Sequence, residues 1–284
     1  MEIWFTHSLI GVTAIGMLMA LFKVPASKGH NKYVYSFLGL AVAATLSAVF
    51  FRSFIHLNSK VIFFGCMWGS AYALGTMLQM QMLKKLDTNA LFPITSLSSH
   101  VLVVIIGLSF FHDKMSLLQG AGVLATFLLV GFYNYKHKHI TVKNGLLGGA
   151  AGIVLLSAFS KFIQKFAAIS VEIRNFIFWQ LFFSTIAAFF IMVIAERKNL
   201  KQGIRFNKDI VMWGMLLGIL NFIGTTEITR ALSMGPFSLV YTINSFYILI
   251  TSLVAWKLFG EKLTKQKIIF VFLAIITIIM IGLG

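Results

Sequence analysis

The heptapeptide LFGEKLT, residues 258–264, joins one long apolar run to the next. Residues 110–116, FFHDKMS, do the same earlier in the chain. A shift of 148 residues lays Phe111, Asp113 and Lys114 on Phe259, Glu261 and Lys262. The chain is 284 residues long and holds only eight acidic residues. Two of the eight at matching points of two halves mark an internal repeat, and that repeat governs how the rest of the sequence is read.

The runs beside these turns are apolar enough to identify their solvent. Hydrophobic residues make up 58% of the chain and charged residues 11%, less than half the roughly 25% usual in a soluble domain. The mean hydropathy is +0.89. Apolar stretches of roughly 20 residues recur, the length a helix needs to cross the hydrocarbon core, whereas a β-barrel would need short alternating segments. The sequence therefore predicts an all-α integral membrane protein with ten transmembrane helices. They fall at 3–22, 33–51, 61–83, 89–111, 116–135, 145–163, 175–195, 210–232, 236–259 and 265–283. The N-terminal MEIW lacks the basic region of a signal peptide, so the first span is expected to stay in the mature protein. A multi-pass protein of the inner (plasma) membrane is the expectation.

The net charge of +16 does not point to nucleic acid, because Lys and Arg are scattered through the loops between spans, the pattern by which membrane proteins orient. The odd-numbered loops carry most of the 24 Lys and Arg, which by the positive-inside rule places both termini outside the cytoplasm. The single cysteine, Cys66, excludes an intrachain disulfide and a cysteine-based metal cluster.

At the 148-residue shift, spans four and five align with spans nine and ten. Ala90 and Leu91 fall on Ser238 and Leu239, and Ser96 falls on Asn244. Spans three and eight align at 149, where Gly65, Gly69, Gly75, Thr76 and Leu83 meet Gly214, Gly218, Gly224, Thr225 and Leu232. Spans one and six match loosely, LFK at 21–23 resembling FSK at 159–161. Each half, 1–138 and 139–284, thus holds five spans. Five is odd, so the second half enters the membrane from the opposite side, giving two inverted five-helix repeats.

These residues carry a resemblance. The chain is similar to the ten-span, EamA-like branch of the drug/metabolite transporter superfamily. The second half shows Pro236, then Gly260-Glu261-Lys262, then a span closed by Gly282. The first half shows Pro93, then His112-Asp113-Lys114, then Gly120 and Gly122. The HDK turn departs from the GE usual in that family. The resemblance implies a solute transporter with a central cavity between the repeats, and it implies cytoplasmic termini, against the charge count.

The acid turns themselves read as folding devices. Gly260 suits a helix stop. Ser116 and Thr264 suit helix starts, and Ser116 with Gln119 fits a capping box. Asp113 and Glu261 precede the next helix N-terminus, where negative charge is favoured.

Polar residues inside spans supply the candidate site. Three helical stripes stand out: Tyr72, Thr76 and Gln79 on span three, Asn221 and Thr225 on span eight, and Tyr241, Asn244 and Ser245 on span nine. Span four adds Ser96 and His100, one turn apart. Together they are the candidate substrate cavity, although interhelical hydrogen bonding is the plainer role for any one of them. Glu227 is the one acid well inside a span, with Arg230 one turn on. It is either half of an intrahelical ion pair or a coupling site for a proton or cation, and His100 is a second coupling candidate. Lys161, Gln164 and Lys165 end span six and Lys23 ends span one. Such chains snorkel to headgroups, while the matching repeat positions of Lys23 and Lys161 leave a substrate-facing role open.

The function these readings support is secondary transport of a small metabolite or amphipathic compound by alternating access, export favoured. A solute importer or channel-like facilitator is the alternative. The chain has no Walker A motif, no HExxH and no in-span carboxylate pair, so an ATPase or intramembrane enzyme is not expected. Neither a cofactor nor a metal is expected. The expected partners are a small-molecule substrate and the lipid bilayer, with a homodimer left open.

Overall fold

The computed structural model describes residues 2–84, 86, 88–135, 144–197, 207–261 and 265–284. Lys262 and Thr264 of the second acid turn lie outside the described residues, as does the boundary between residues 138 and 139. Among the described residues there are helices and turns and no strand. In chain order the helices are α1 (Ile3–Leu21), α2 (Val24–Lys28), α3 (Lys32–Phe50), α4 (Ser59–Met82), α5 (Thr88–Ser109) and α6 (Leu117–Tyr135). They continue as α7 (Asn144–Ser170), α8 (Ile173–Glu196), α9 (Lys208–Met234), α10 (Phe237–Asn244), α11 (Tyr247–Phe259) and α12 (Lys265–Leu283).

Among the described residues, seven stretches are long and apolar enough to cross a membrane: Ile3–Lys28, Lys32–Phe50, Ser59–Met82, Gly148–Ser170, Ile173–Glu196, Lys208–Met234 and Phe237–Phe259. Shorter apolar stretches, Ser98–Ser109, Leu117–Leu129 and Phe272–Leu283, lie within α5, α6 and α12. Large apolar side chains such as Leu128, Leu155, Phe190 and Phe272 stand exposed on the outside. Helices that are apolar on the outside as well as at their contacts belong in lipid.

Helix starts follow local chemistry. Asn31 accepts from the Tyr33 and Val34 amides, Asn58 from those of Lys60 and Val61, and Asn207 from that of Ile210. The capping box forms, with Ser116 Oγ accepting from the Gln119 amide at 3.1 Å and Gln119 Oε1 from the Ser116 amide at 3.0 Å.

Packing is dominated by contacts between the first half of the chain and the second. α1 lies on α9 and α11, α3 on α8 and α9, α4 on α7 and α8, α5 on α7 and α10, and α6 on α12. Glycines set the closest approaches. A Cβ at Gly69 would lie 2.6 Å from the Ser184 amide nitrogen on α8, and one at Gly218 would lie 2.6 Å from the Gly39 carbonyl oxygen on α3. Backbones meet there because nothing larger than hydrogen intervenes.

Three sequence expectations change. The sixth span does not end at 163, because α7 runs to Ser170 and Lys161, Gln164 and Lys165 fall inside it. Lys165 does not snorkel. It is buried at 7% exposure and donates to the carbonyls of Leu232 at 2.8 Å and Gly235 at 3.0 Å, at the end of α9. Span nine is not one uninterrupted helix, since α10 and α11 meet at Ser245–Phe246 through a tighter i→i−3 turn. The Thr242 and Ser245 hydroxyls both bond back to carbonyls here, Thr242 to Ser238 and Ser245 to Thr242, a competition that loosens helical ladders.

The acid turns also act differently from the expectation. Asp113 does not serve the start of the helix that follows it. Its Oδ2 accepts from the Ser238 amide at 2.7 Å and hydroxyl at 2.6 Å, and so caps α10 in the other half. Glu261 pairs with Lys23 at the end of α1. Lys23 Nζ lies 5.9 Å from the Phe259 ring and Lys165 Nζ lies 6.0 Å from the Phe111 ring. The lysine beside the phenylalanine of the first acid turn is therefore Lys165, not Lys161. His112, at φ 52, takes the left-handed position that Gly260 takes at φ 68.

Candidate functional site

A cavity of about 110 Å³ opens between α1, α4, α7, α9 and the α10–α11 junction. Its apolar floor is Ile15, Leu18 and Met19 of α1, with Ile153 and Leu156 of α7. Tyr72, Thr76 and Gln79 reach it from α4, Asn221 and Thr225 from α9, and Tyr241 and Asn244 from α10. Residues from all three stripes thus gather on one space. Ser245 does not join them: it is buried, its hydroxyl donating to the Thr242 carbonyl at 2.6 Å, and it is not among the lining residues. His100 stands behind the wall, its ring 6.3 Å from that of Tyr241 and 6.5 Å from that of Tyr247. The side chain of Ser96 lies outside the described residues.

Hydrogen bonds tie the lining across helices. The Tyr72 hydroxyl donates to Asn221 Oδ1 at 3.0 Å, and the Thr225 hydroxyl donates to the same oxygen at 3.1 Å. Tyr72 and Asn221 are themselves 149 residues apart, the shift that aligns spans three and eight. The bond therefore joins two positions that the 149-residue shift superposes. On the other side the Tyr241 hydroxyl donates to Gln164 Oε1 at 2.8 Å, and Gln164 Nε2 to the Thr229 hydroxyl at 2.7 Å. Trp68 stacks on Tyr72 with ring centroids 4.5 Å apart and planes 14° apart, making one wall aromatic.

Lys161 lines the cavity from the middle of α7. Its Nζ donates to Ser99 Oγ at 2.9 Å and lies 5.3 Å from the centre of the Tyr241 ring. Two further polar atoms on this lining, Trp68 Nε1 and Asn244 Oδ1, are buried without a hydrogen-bond partner among the described residues. The sequence stripes did not include Trp68, Ser157, Ser160 or Gln164, which also line the cavity. The signal for α7 was present, since Ser157, Ser160, Lys161 and Gln164 recur at helical spacing.

Glu227 is not brought to the cavity. It lies on another face of α9, bonded to Arg230 Nη1 at 3.0 Å and to His7 Nδ1 of α1 at 2.5 Å. The intrahelical pair was legible in the i, i+3 spacing; His7, 220 residues away, was not. No group of three or more His, Cys, Asp or Glu side chains able to hold a metal occurs among the described residues.

The architecture is that of a multi-pass membrane protein with a partly polar cavity between its helices. Residues 143–283 match the model of the EamA-like transporter family, and the chain belongs to that family within the drug/metabolite transporter superfamily. A solved structure described as "Crystal structure of protein" is similar over 98% of this chain and 98% of its own, with a TM-score of 0.75 at 12% identity, a likeness of fold. No curated protein matches the chain. Family membership makes this a membrane transporter of the drug/metabolite type.

Proposed function

We propose that the protein is a secondary transporter that moves a small solute by alternating access, its ten spans forming two inverted repeats, 1–138 and 139–284. The observation that carries this is the cavity, lined from α4, α7, α9 and α10 and crossed by a hydrogen bond between the repeat equivalents Tyr72 and Asn221. A site between inverted repeats is where rocking of one against the other exposes a solute first to one side and then to the other. The mirrored contacts support the repeat: α1 on α9 answers α7 on α4, and α3 on α9 answers α8 on α4. The broken helix α10–α11 supports the site, since discontinuous helices border solute sites in many transporters. Export across the plasma membrane is the direction we propose.

The test is the extracellular metabolite profile of cells expressing the protein, beside cells expressing an Asn221→Ala, Tyr241→Phe variant at equal abundance and cells with empty vector. One solute class accumulating outside only with the intact protein is expected. Accumulation with both proteins would remove the cavity from the mechanism, and profiles equal to the empty vector would reverse the direction to import or overturn transport. Uptake into proteoliposomes that rises linearly with solute, without saturation or competition, would make it a channel-like facilitator. Glu227 as a coupling residue is a separate proposal. Glu227→Gln is expected to remove any dependence of flux on a pH gradient, and unchanged dependence would leave Glu227 a structural partner of His7 and Arg230. The same measurement on His100→Ala tests the second candidate.

A further inference from the structure

We infer that the solute is a small organic anion whose acid group is held by Lys161, an inference that rests on reading the cavity as the solute site. Lys161 places an ammonium on the cavity lining, and its partners there are a hydroxyl and an aromatic ring. Neither carries a compensating charge. A ring face offers a cation only part of what an ion pair does, and an ammonium withdrawn from water without an anion is costly.

None of the described acids lines this space. Asp113 caps α10, Glu227 is held by His7 and Arg230, and Glu261 is paired with Lys23. The others stand at helix starts or ends. The solute is therefore the source of negative charge that this site is built to receive. The same distribution disfavours a cation, which Lys161 repels, and a zwitterion, whose ammonium would find no carboxylate among the described lining residues.

The remaining lining describes the body of the solute. The stacked Trp68 and Tyr72 rings present an apolar, planar wall. Trp68 Nε1 offers a donor and Asn244 Oδ1 an acceptor, each lacking a partner among the described residues, and a buried polar group without a partner favours a ligand that supplies one. The volume of about 110 Å³ restricts that body to a small metabolite.

The experiment uses the full chain and four probes that share a benzene ring: benzenesulfonate, benzoate, benzamide and benzylamine. Binding is read by isothermal titration calorimetry on purified protein, and flux by uptake of labelled benzenesulfonate, a permanent anion, into proteoliposomes. We expect the two anions to bind and the amide and amine not to bind. Lys161→Met is expected to weaken anion binding on the order of thirtyfold, as loss of one partner of a buried charged pair does. Lys161→Arg is expected to keep it within a few-fold. Equal unfolding temperatures of the variants show that folding is intact. The inference is overturned if benzamide or benzylamine binds as tightly as benzoate, if Lys161→Met changes nothing, or if neither anion binds. Anion binding that depends on Lys161 without saturable flux keeps the anion site and removes the transport reading. Saturable, competitive flux of benzylamine without anion binding keeps transport and removes the anion.

Discussion

Asp113 and Glu261, which the 148-residue shift superposes, do different work. Asp113 takes two hydrogen bonds from Ser238 and caps a helix in the other half, with Lys165 close enough to interact with its charge. Lys165 in turn satisfies two carbonyls at the end of α9. Glu261 instead holds a lysine directly, and the Lys23 and Glu261 side chains keep 15% and 9% of their exposure. The aromatic before each acid is retained under each lysine, Phe111 with Lys165 and Phe259 with Lys23. The two turns thus share a left-handed residue and a phenylalanine beside a lysine, while the bonding of the two acids differs. The first turn ties Asp113 to a helix start in the other half of the chain, and the second ties Glu261 to a lysine.

That difference sets an order of effects. Asp113→Ala is expected to be the most damaging, by about 3 kcal/mol, because it uncaps α10 and leaves Lys165 without a nearby anion. Unfolding in detergent checks it, and a loss below that of the Glu261 variant would make the two turns equivalent after all. Glu261→Gln is expected to cost less, about 1–2 kcal/mol, since it breaks an ion pair but uncaps no helix. Adding Lys23→Met to it should recover most of the loss, and a double-mutant cycle showing simple additivity would mean the pair is not coupled. The glycine at the second turn and the histidine at the first sharpen the comparison further. Gly260→Ala is expected to destabilise by about 1 kcal/mol, because its φ of 68 is unfavourable for any residue with a Cβ. His112→Gly is expected to stabilise by about 0.5 kcal/mol for the converse reason, at φ 52, with the gain reduced by the greater freedom glycine gives the unfolded chain. Thermal unfolding reads both, and a neutral or opposite sign at either position would show that the left-handed turn is not what distinguishes them.

The helical plan was legible because roughly 20 apolar residues in a row leave few alternatives. The three stripes were legible because polar residues at helical spacing in an apolar helix are costly unless they face one another or a cavity. Tyr72, Asn221 and Tyr241 accordingly meet on one space. What escaped the sequence was partnership across long separations. Gln164 and Lys165 looked like the polar end of a span, because nothing local reveals that Thr229 and the end of α9 await them. Lys161 was grouped with Lys23 by three-letter resemblance, whereas packing against Phe111 and Phe259 pairs Lys23 with Lys165. Ser245 shares a stripe with Tyr241 and Asn244, yet the tightened turn at the α10–α11 junction directs its hydroxyl to the backbone.

The bond between Tyr72 and Asn221 has a geometric consequence. In the inverted-repeat arrangement proposed above, these two residues are related by a pseudo-two-fold axis and, since they touch, straddle it. When the two halves trade conformations, as the transport cycle proposed here requires, such a pair is carried onto itself, and its separation stays the same at both ends of the stroke. In that proposed cycle the contact is the fulcrum of the molecule rather than one of its gates. A covalent tether between positions 72 and 221 would leave the protein free to turn over, whereas a tether between positions 113 and 238, off the axis, would stop it in one orientation.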